Sequence, residues 1–412
     1  MTSPLRIAIF HLGFFYSGGG EKLVLQQARE LRARGHDVQV HAPIVDREAC
    51  FPDLMAEIVP RALLRRLPNI GGVGDGLTLL AAALLARSLT RNIDADVYLG
   101  ANQPGAHLAR EAARSHGKRY VVYLNQPNRL LSARAVDLET RPLVIKKDFF
   151  LLDTVASFGR PILNRLDRRS VRDAAVRLGD GAYMTSILKT YYGGTWRSCP
   201  AATRPAAHEP IDQADRTRGT IQIGRRAIRR PFLLLTNRHY PQKRFEWMFP
   251  VIARVRERYP QASLVVTGAD TAYTDVLRRQ ADALGLRNAV RFMGLVSERE
   301  LEGLYASAAV YVYPSPEEDF GMGIVEAMGR GTPVVAWDQA GPTGIITDGV
   351  DGRRIAIDQV DAFGDAVLAL LDDDAERERI GRAGWRTVSE RFSFVAHTDI
   401  LESALRDAAC PA

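Results

Sequence analysis

Residues 313–328 read Tyr-Pro-Ser-Pro-Glu-Glu-Asp-Phe-Gly-Met-Gly-Ile-Val-Glu-Ala-Met. The apolar run at 310–312 just before them is typical of a short buried strand that ends at the prolines. A glycine-containing acidic loop follows, and the sequence then predicts a helix that opens around Gly323. A strand, a loop and a helix in this order favour a parallel α/β sheet, in which ligands bind beyond the carboxyl ends of the strands.

The same alternation extends to both sides of this segment. Apolar runs predict strands at 232–235, 264–266, 290–292, 310–312 and 334–336. Helical spacing predicts helices ending near 259 and lying around 275–284, 301–305 and 324–328. We therefore predict a doubly wound domain over residues 231–393.

The N-terminal half shows a second series of the same kind. Strands are predicted at 7–10, 38–40, 97–99 and 120–123. A helix from Glu21 places Val24, Ala28 and Leu31 on one face, and Gly35 is placed to end it. We expect an α/β protein with two Rossmann-like domains that face each other across a cleft. The expected parts are an N-terminal domain at 1–203, a linker at 204–230, and a C-terminal helix at about 394–412 that packs back on the first domain.

Composition restricts the class of protein. A chain of 412 residues, 46% hydrophobic and 25% charged, fits two soluble domains better than one core or a membrane bundle. Cys50, Cys199 and Cys410 are far apart, which excludes a disulfide framework and fits a reduced, cytoplasmic protein. The apolar stretch at 7–15 lacks a small-residue cleavage site and is interpreted as a strand, not a signal peptide.

The net charge of +7 indicates anionic partners such as phosphates, nucleotide diphosphates or an acidic membrane surface. Arginines cluster at 160–172 and 225–230, which is equally consistent with a solvated basic face and a linker. No aromatic-interleaved basic motif accompanies them, so nucleic acid is not expected as a partner. The run at 77–86 is too short to span a bilayer and is expected to form a core-facing helix, with membrane-surface contact as the alternative.

Two acidic side chains of the opening segment are candidate ligand-binding groups. Glu318 lies in the loop and Glu326 in the helix, eight positions apart. A carboxylate can accept two hydrogen bonds side by side, which suits the vicinal diol of a ribose or hexose. The alternative is that these acids only favour the positive end of the helix dipole.

A second pattern follows the strand at 232–235. Arg238 and Lys243 are five residues apart and flank Pro241. A departing nucleoside diphosphate needs fixed positive charge, which a planar guanidinium and an ammonium supply from two sides. Ordinary surface cations are the alternative interpretation.

These motifs together resemble the retaining GT-B glycosyltransferases of the family 4 group, the glycosyl transferases group 1, and especially mannosyltransferase-like members. Glu318-Asp319-Phe320-Gly321, then Glu326-Ala327-Met328, match the family's two glutamates with seven residues between them. The resemblance implies that Glu326 binds the donor ribose and that Glu318 lies against the donor sugar. It implies catalytic roles for Arg238, Lys243 and Glu318, with the first two binding the diphosphate. The remaining implied donor-loop residues are Phe320, Gly321, Met322, Gly323 and Ile324.

Two N-terminal segments extend the resemblance. Gly18-Gly19-Gly20-Glu21 fits the family's glycine loop, which implies that the backbone at Gly19 and Gly20 approaches the donor. An NAD fingerprint is a weaker interpretation, because His41-Ala42-Pro43 follows the second strand where an acid is expected. The segment 123–129 resembles Tyr-x-His-Thr-Pro-x-Arg of the relatives, which implies substrate-binding roles for Asn125 and Arg129, with a purely structural turn as the alternative.

The sequence also departs from the family. Asn125 stands where relatives have His, and it cannot shuttle a proton, which argues against a general base there. Gly344 stands where many relatives carry an acid, and Asn237 replaces the usual Gly before Arg238. Asp94-Ala95-Asp96 resembles a manganese-binding pair but precedes a strand, so we interpret it as coincidental and predict no metal site.

The resemblance implies a function. The expected activity is retaining transfer of a hexose from a nucleotide-diphosphate sugar, GDP-mannose before UDP-hexoses, to a glycan, lipid-linked or small-molecule acceptor. No cofactor and no metal are expected. The expected location is cytoplasmic, with peripheral contact with an anionic membrane. The alternatives are a non-catalytic nucleotide-sugar-binding protein and a nucleotide-sugar epimerase of the same fold.

Overall fold

The computed structural model describes residues 3–67, 73–129, 131–144, 150–210 and 216–410. The chain divides into two compact units. The first unit comprises Met1–Ala133, Lys146–Ala201 and Phe394–Ala412, and the second comprises Arg134–Ile145 and Ala202–Ser393. Among the described helices, none has the length and apolar character needed to cross a bilayer.

Strands and helices are numbered in chain order. Those before residue 200 are β1 (Arg6–His11), α1 (Gly19–Ala33), β2 (Asp37–Ala42), α2 (Pro52–Ile58), β3 (Arg61–Ala62), α3 (Val73–Leu84), α4 (Ala86–Thr90), β4 (Val97–Ala101), α5 (Gly105–Ser115), β5 (Tyr120–Leu124), α6 (Ala135–Val144), α7 (Phe150–Arg172), β6 (Val176–Gly179), α8 (Gly181–Tyr192) and β7 (Arg197–Ser198). Those after it are β8 (Thr220–Ile223), β9 (Arg226–Arg229), β10 (Phe232–Thr236), α9 (Met248–Arg258), β11 (Ser263–Thr267), α10 (Ala272–Ala283), β12 (Val290–Gly294), α11 (Glu298–Ser307), β13 (Val310–Tyr313), α12 (Met322–Met328), β14 (Val334–Trp337), β15 (Arg353–Ile355), α13 (Val360–Asp372), α14 (Asp374–Arg391) and α15 (Phe394–Ala409).

The first unit is built on a parallel sheet whose described strands lie in the order β3-β2-β1-β4-β5-β6-β7. The predicted stripe of α1 is confirmed, since Val24, Ala28 and Leu31 are fully buried. Gly35 then adopts a φ of +90°, the left-handed conformation in which glycine ends a helix without strain. On one face of the sheet, α4, α5, α7 and α8 share a hydrophobic core with the strands. The C-terminal helix α15 belongs to this unit, where it packs on α1 and β5.

The second unit has a parallel sheet with the described order β12-β11-β10-β13-β14-β15. Its four central strands, β11, β10, β13 and β14, are almost fully buried on both faces, which explains why they appear as continuous apolar runs. A core between the sheet and helices α9, α10, α13 and α14 contains Phe249, Leu277, Phe363 and Trp337. Each such side chain contributes roughly 1.5–3 kcal/mol on burial. Both sheets are therefore doubly wound, as predicted.

Two stretches differ from the sequence expectation. Inside the predicted linker 204–230, β8 and β9 form an antiparallel hairpin that belongs to the second unit. Ile223 and Ile228 are buried and attach the hairpin to this unit. Because only two apolar residues are involved, the sequence of the hairpin shows no hydrophobic periodicity from which strands could be predicted. Residues 211–215 of the predicted linker lie outside the described residues. The predicted N-terminal domain at 1–203 includes α6, whereas the structure places this helix in the second unit.

The expectation of a core-facing helix at 77–86 is confirmed in part, because Thr78, Ala82 and Ala86 are buried, but the helix is interrupted and most of its leucines face outward. Helix α3 ends at Leu84 and α4 begins at Ala86, so the run is interrupted. Four of its leucines are exposed, since a nearly continuous apolar run does not specify which face turns inward. The exposed fractions are 46% for Leu77, 38% for Leu80, 68% for Leu84 and 51% for Leu85.

The interpretation of Asp94 and Asp96 as a non-metal pair agrees with their contacts. Both carboxylates bind the guanidinium of Arg6, at 2.9 and 2.8 Å. Hydrogen bonds and the charge of Arg6 lower the pKa of Asp94. The pair therefore ties the start of β1 to the start of β4.

Candidate active site

The two strongest motifs of the sequence meet where the second sheet reverses its winding. Strands β10 and β13 are neighbours, but the chain continues from β10 towards β11 and β12 and from β13 towards β14 and β15. The loops that follow β10 and β13 therefore diverge and leave a crevice, the usual ligand position in such sheets. Lys243 follows β10 and Glu318 follows β13, and these side chains, 75 residues apart in sequence, are in contact.

Glu318 is the acceptor of two strong hydrogen bonds. Lys243 Nζ donates to Glu318 Oε2 at 2.6 Å, and the Tyr313 hydroxyl donates to the same oxygen at 2.7 Å. Burial opposes ionisation, but the charge and hydrogen bond of Lys243, the hydrogen bond of Tyr313 and the charge of Arg134 outweigh it and lower the pKa of Glu318 to about 2. The site thus holds a carboxylate that is ionised throughout the physiological pH range.

Glu326 is oriented by a chain of hydroxyl groups. The Tyr305 hydroxyl donates to Glu326 Oε2 at 2.8 Å. Thr236 Oγ1, at the end of β10, lies 2.8 Å from the hydroxyls of both Tyr305 and Tyr311. Burial and the charge of Glu326 raise the pKa of Tyr305 well above its usual value, so it remains a hydroxyl donor. These hydrogen bonds therefore fix the position of the Glu326 carboxylate relative to the end of β10.

The loop that carries the two predicted cations is held in place by hydrogen bonds of Asn237 and His239. Asn237 Oδ1 accepts the Arg238 N–H at 2.9 Å, so the Asn that replaces the family's Gly caps the turn. His239 is buried and its Nδ1 lies 2.9 Å from Thr274 Oγ1. Arg238 is half-buried just beyond β10, and Lys243 ends the short helical turn Pro241–Lys243. Both cations therefore sit on a fixed loop at the carboxyl edge of the sheet.

The predicted donor loop is shaped by close packing at the start of α12. Gly321 caps the helix with a φ of +114°. A Cβ on Gly323 would lie 2.1 Å from the Tyr311 hydroxyl, so only glycine lets the first turn, from Met322, approach the strand ends. The Ile324 N–H donates to the Gly321 carbonyl at 2.9 Å and thus closes the turn.

Phe320 contributes to this loop through packing. Its ring is 6% exposed and lies 5.9 Å from the ring of Phe392, centroid to centroid. The Gly341 N–H donates to the Glu318 carbonyl at 2.8 Å. The segment that departs from the family at Gly344 therefore supports the acidic loop through its backbone.

Three side chains of this site were not predicted from the sequence: Tyr305, Tyr313 and Arg134. Tyr313 is the last residue of β13, so its position at a strand end was a usable signal. Arg134 precedes α6 and donates to the Glu317 carbonyl at 2.7 Å, 183 residues away. No sequence pattern predicts a contact over that separation.

At the carboxyl edge of the first sheet, the predicted glycine loop and Asn125 are brought together. Asn125 Nδ2 donates to Asp180 at 2.8 Å, and Asn125 Oδ1 accepts from Asn102 Nδ2 at 2.8 Å. A Cβ on Gly20 would lie 3.7 Å from Asn125 Oδ1, and Gly19 is the first residue of α1 beside it. Asn102 and Asp180 were missed, although each directly follows a strand.

Arg129 takes part in the structure of its own loop. Its Nε donates to Gln126 Oε1 at 3.2 Å, three residues back in the chain. The side chain is half-buried. The structure thus places Arg129 in the loop that follows Asn125, and its predicted contact with substrate stays a prediction.

Comparison with known proteins agrees with this geometry. Residues 17–196 match the family described as Glycosyltransferase Family 4, and residues 221–386 match Glycosyl transferases group 1. The phosphatidyl-myo-inositol mannosyltransferase of Mycobacterium tuberculosis is 28% identical over 408 residues, which cover 93% of this chain and 94% of that protein. A GDP-mannose-dependent alpha-(1-6)-phosphatidylinositol monomannoside mannosyltransferase of the same species is 28% identical over 242 residues, 55% of this chain and 62% of that protein.

Among solved structures, HepE of Anabaena in complex with UDP and glucose superposes with a TM-score of 0.69 at 17% identity. The match covers 98% of this chain and 100% of that one. Two parallel doubly wound sheets with this likeness define a GT-B glycosyltransferase fold. The chain belongs to family 4 of the glycosyltransferases.

Proposed function

We propose that this glycosyltransferase transfers a hexose from a nucleotide-diphosphate sugar with retention of anomeric configuration, and that the donor is GDP-mannose, with UDP-hexoses next. One observation carries the proposal: Lys243, Glu318 and Glu326 lie on loops and a helix around one switch point of the second sheet. The printed names of two relatives, both mannosyltransferases, favour mannose. HepE, solved with UDP and glucose, supports the second choice.

Each charged side chain of the site has a part in donor binding. Arg238 and Lys243 bind the diphosphate and stabilise the negative charge that develops on departure. Glu326, held by Tyr305, accepts both ribose hydroxyls. Once Lys243 turns to the phosphates, Glu318 accepts hydroxyls of the sugar. Amides at Met322 and Gly323 add donors to the sugar and phosphate.

The reaction we propose uses no metal, no cofactor and no protein general base. The acceptor hydroxyl attacks the sugar from the face on which the diphosphate departs, and the leaving diphosphate oxygen takes the proton of that hydroxyl. Fixed cations replace a metal ion at the diphosphate. Transfer unaffected by a chelator, with an α-linked product by NMR from an α-linked donor, supports this; loss of activity in chelator or a β-linked product contradicts it.

The first unit is proposed to bind the acceptor, a glycan, a lipid-linked sugar or a small molecule. Asn102 and Asn125 offer amide groups at the carboxyl edge of its sheet, where neutral hydroxyls are bound well. The backbone at Gly19 and Gly20 lies beside them, and we propose that it approaches the donor. Arg129 follows in the same loop. The protein is proposed to act in the cytoplasm.

A basic surface of the first unit supports peripheral contact with an anionic membrane. Two depressions of about 420 and 660 Å³ share one carboxylate, Asp173. Eight cations line them: Arg110, Arg114, Lys118, Arg119, Arg165, Arg168, Arg169 and Arg172. Ile162, on the same helix as the last four, is 63% exposed. A cationic face with exposed apolar side chains is typical of proteins that bind membrane surfaces.

Vesicle sedimentation tests this contact. Binding to phosphatidylcholine vesicles should need added phosphatidylglycerol, and Arg165→Glu with Arg169→Glu should weaken it about tenfold or more. The control, Arg287→Glu with Arg299→Glu, makes the same charge change on exposed positions of the second unit. Equal weakening by both pairs contradicts a docking surface on α7.

Thermal-shift binding to GDP-mannose, UDP-glucose, UDP-N-acetylglucosamine and NADH tests the donor. A ligand at a hundred times its Kd stabilises the fold by about 2.7 kcal/mol. The proposal expects one nucleotide sugar to raise the Tm and Glu326→Ala to abolish the response. A shift with NADH alone contradicts it. Donor binding without hydrolysis or transfer to any acceptor would favour a non-catalytic binding protein, and sugar inversion within the nucleotide sugar would favour an epimerase.

A further inference from the structure

Helix α6 is a part of the second unit although it lies between β5 and α7 in the chain. It packs against the turn Pro241–Lys243, which carries one of the proposed diphosphate ligands. Arg244, next to that turn, binds Glu139 of α6 at 2.7 Å. The segment from Arg134 to α6 is therefore attached to the candidate donor site at several points.

Arg134 joins this segment to the acidic loop. Its Nη1 donates to the Glu317 carbonyl at 2.7 Å and lies 3.5 Å from Asp319 Oδ2. Asp137 holds the other side of the guanidinium, with Nη2 and Nε at 2.7 and 2.8 Å from its two carboxylate oxygens. The Arg134 side chain is 18% exposed. A guanidinium held in this bidentate way has one orientation, so it fixes the backbone that it contacts.

The position of Arg134 addresses a difficulty in the proposed donor binding. Lys243 has to exchange Glu318 for the diphosphate, which leaves a largely buried carboxylate without its nearest cation. A buried charge that loses its partner is strongly destabilised. The charge of Arg134, held at Glu317 and Asp319 next to Glu318 in the chain, also acts on Glu318 and takes no part in the exchange.

We infer that Arg134 is a positioning residue of the donor site: it fixes the loop at Glu317 and keeps Glu318 in place for the donor sugar while Lys243 binds the diphosphate. The inference rests on the proposed function. The inference predicts different effects on binding of the sugar and of the nucleotide, because Arg134 supports the sugar contact and takes no part in the nucleotide contacts at Glu326 and Arg238.

Titration calorimetry with matched ligands tests this separation. Wild type and variants are titrated with GDP-mannose, GDP, UDP-glucose and UDP. Arg134→Met should raise the Kd of the nucleotide sugar about tenfold, as expected for a hydrogen bond from a charged group. The Kd of the matching nucleoside diphosphate should change by less than about twofold. The kcat of donor hydrolysis should fall with the sugar affinity.

Two further variants distinguish positioning from a general structural role. Asp137→Asn keeps the Arg134 charge but loosens its orientation, so it should show the same selective loss with a smaller size. Glu139→Gln breaks the ion pair between α6 and Arg244 and should bind all ligands as the wild type does. Asp137→Asn and Glu139→Gln test the positioning role of Arg134 even if Arg134→Met destabilises the fold and lowers its Tm.

The outcomes are distinct. Selective loss of sugar affinity in Arg134→Met, absent in Glu139→Gln, supports the inference. Unchanged binding and kcat in Arg134→Met, or equal loss of sugar and nucleotide affinity in both variants, overturns it while the proposed function stands. A wild type that binds none of the four ligands overturns the proposed function and this inference with it.

Discussion

The two sheets have the same winding around their switch points but present different chemistry at their carboxyl edges. In the second unit, the edge carries fixed charges, with Lys243, Glu318 and Glu326 in contact with each other or with tyrosine hydroxyls. In the first unit, the edge carries the amides of Asn102 and Asn125, and the nearby Asp180 is buried beneath them. We therefore propose that the fold fixes where a ligand binds, whereas the side chains after each strand decide whether that ligand is charged or neutral.

The largest expected effect is at the diphosphate. Lys243→Ala removes the cation that we propose to stabilise the leaving group, so kcat should fall about a hundredfold or more. Steady-state assays of donor hydrolysis and transfer measure this. Lys189→Ala, an exposed lysine of the first unit, is the control and should be active. Unchanged turnover in Lys243→Ala would show that the charge at the second edge has no catalytic part.

Removal of one hydroxyl tests the support of Glu326. Tyr305→Phe keeps the ring but deletes the hydrogen bond to the carboxylate. The Kd of the donor should rise roughly fivefold to tenfold, the size expected for one hydrogen bond to a charged group. Calorimetry with the donor measures it, and Tyr313→Phe, which contacts Glu318 instead, shows whether the two acids act on separate parts of the donor.

A change at the amide edge of the first unit should affect binding of the acceptor and leave binding of the donor unchanged. Asp180→Asn weakens the hold on Asn125, so transfer to the acceptor should fall several-fold and the acceptor KM should rise. The donor Kd should stay within about twofold of the wild type. Competition assays with both substrates measure the two constants. A loss of donor affinity in Asp180→Asn would contradict the division of labour between the edges.

The smallest effect at neutral pH concerns the charge of Glu318. The pKa of this carboxyl lies at about 2, below the ordinary 4.5 of the unfolded chain. A depressed pKa stabilises the fold above the unfolded value, and this contribution is lost as pH falls towards the folded value. Urea unfolding of wild type and Glu318→Gln should therefore differ by a constant amount from pH 7 to 5 and converge below that. A difference that grows on acidification would contradict the assigned ion pair.

Much of this organisation follows from local sequence. Buried parallel strands such as β10 and β13 read as apolar runs, and the motifs that follow them had to meet at one edge. Contacts set by tertiary packing left no local signal. The contact from Arg134 to Glu317 spans 183 residues. The hairpin of β8 and β9 depends on two isoleucines, and the run at 77–86 has too many leucines to show which face is buried.

The most direct test of the account is calorimetric titration of GDP-mannose into wild type, Lys243→Ala and Asp180→Asn. If the charged groups of the second edge hold the donor, wild type and Asp180→Asn bind it with nearly equal Kd, and Lys243→Ala binds it at least about tenfold more weakly. Should Asp180→Asn lose affinity while Lys243→Ala keeps it, the donor belongs to the first unit and the assignment of the two edges is contradicted.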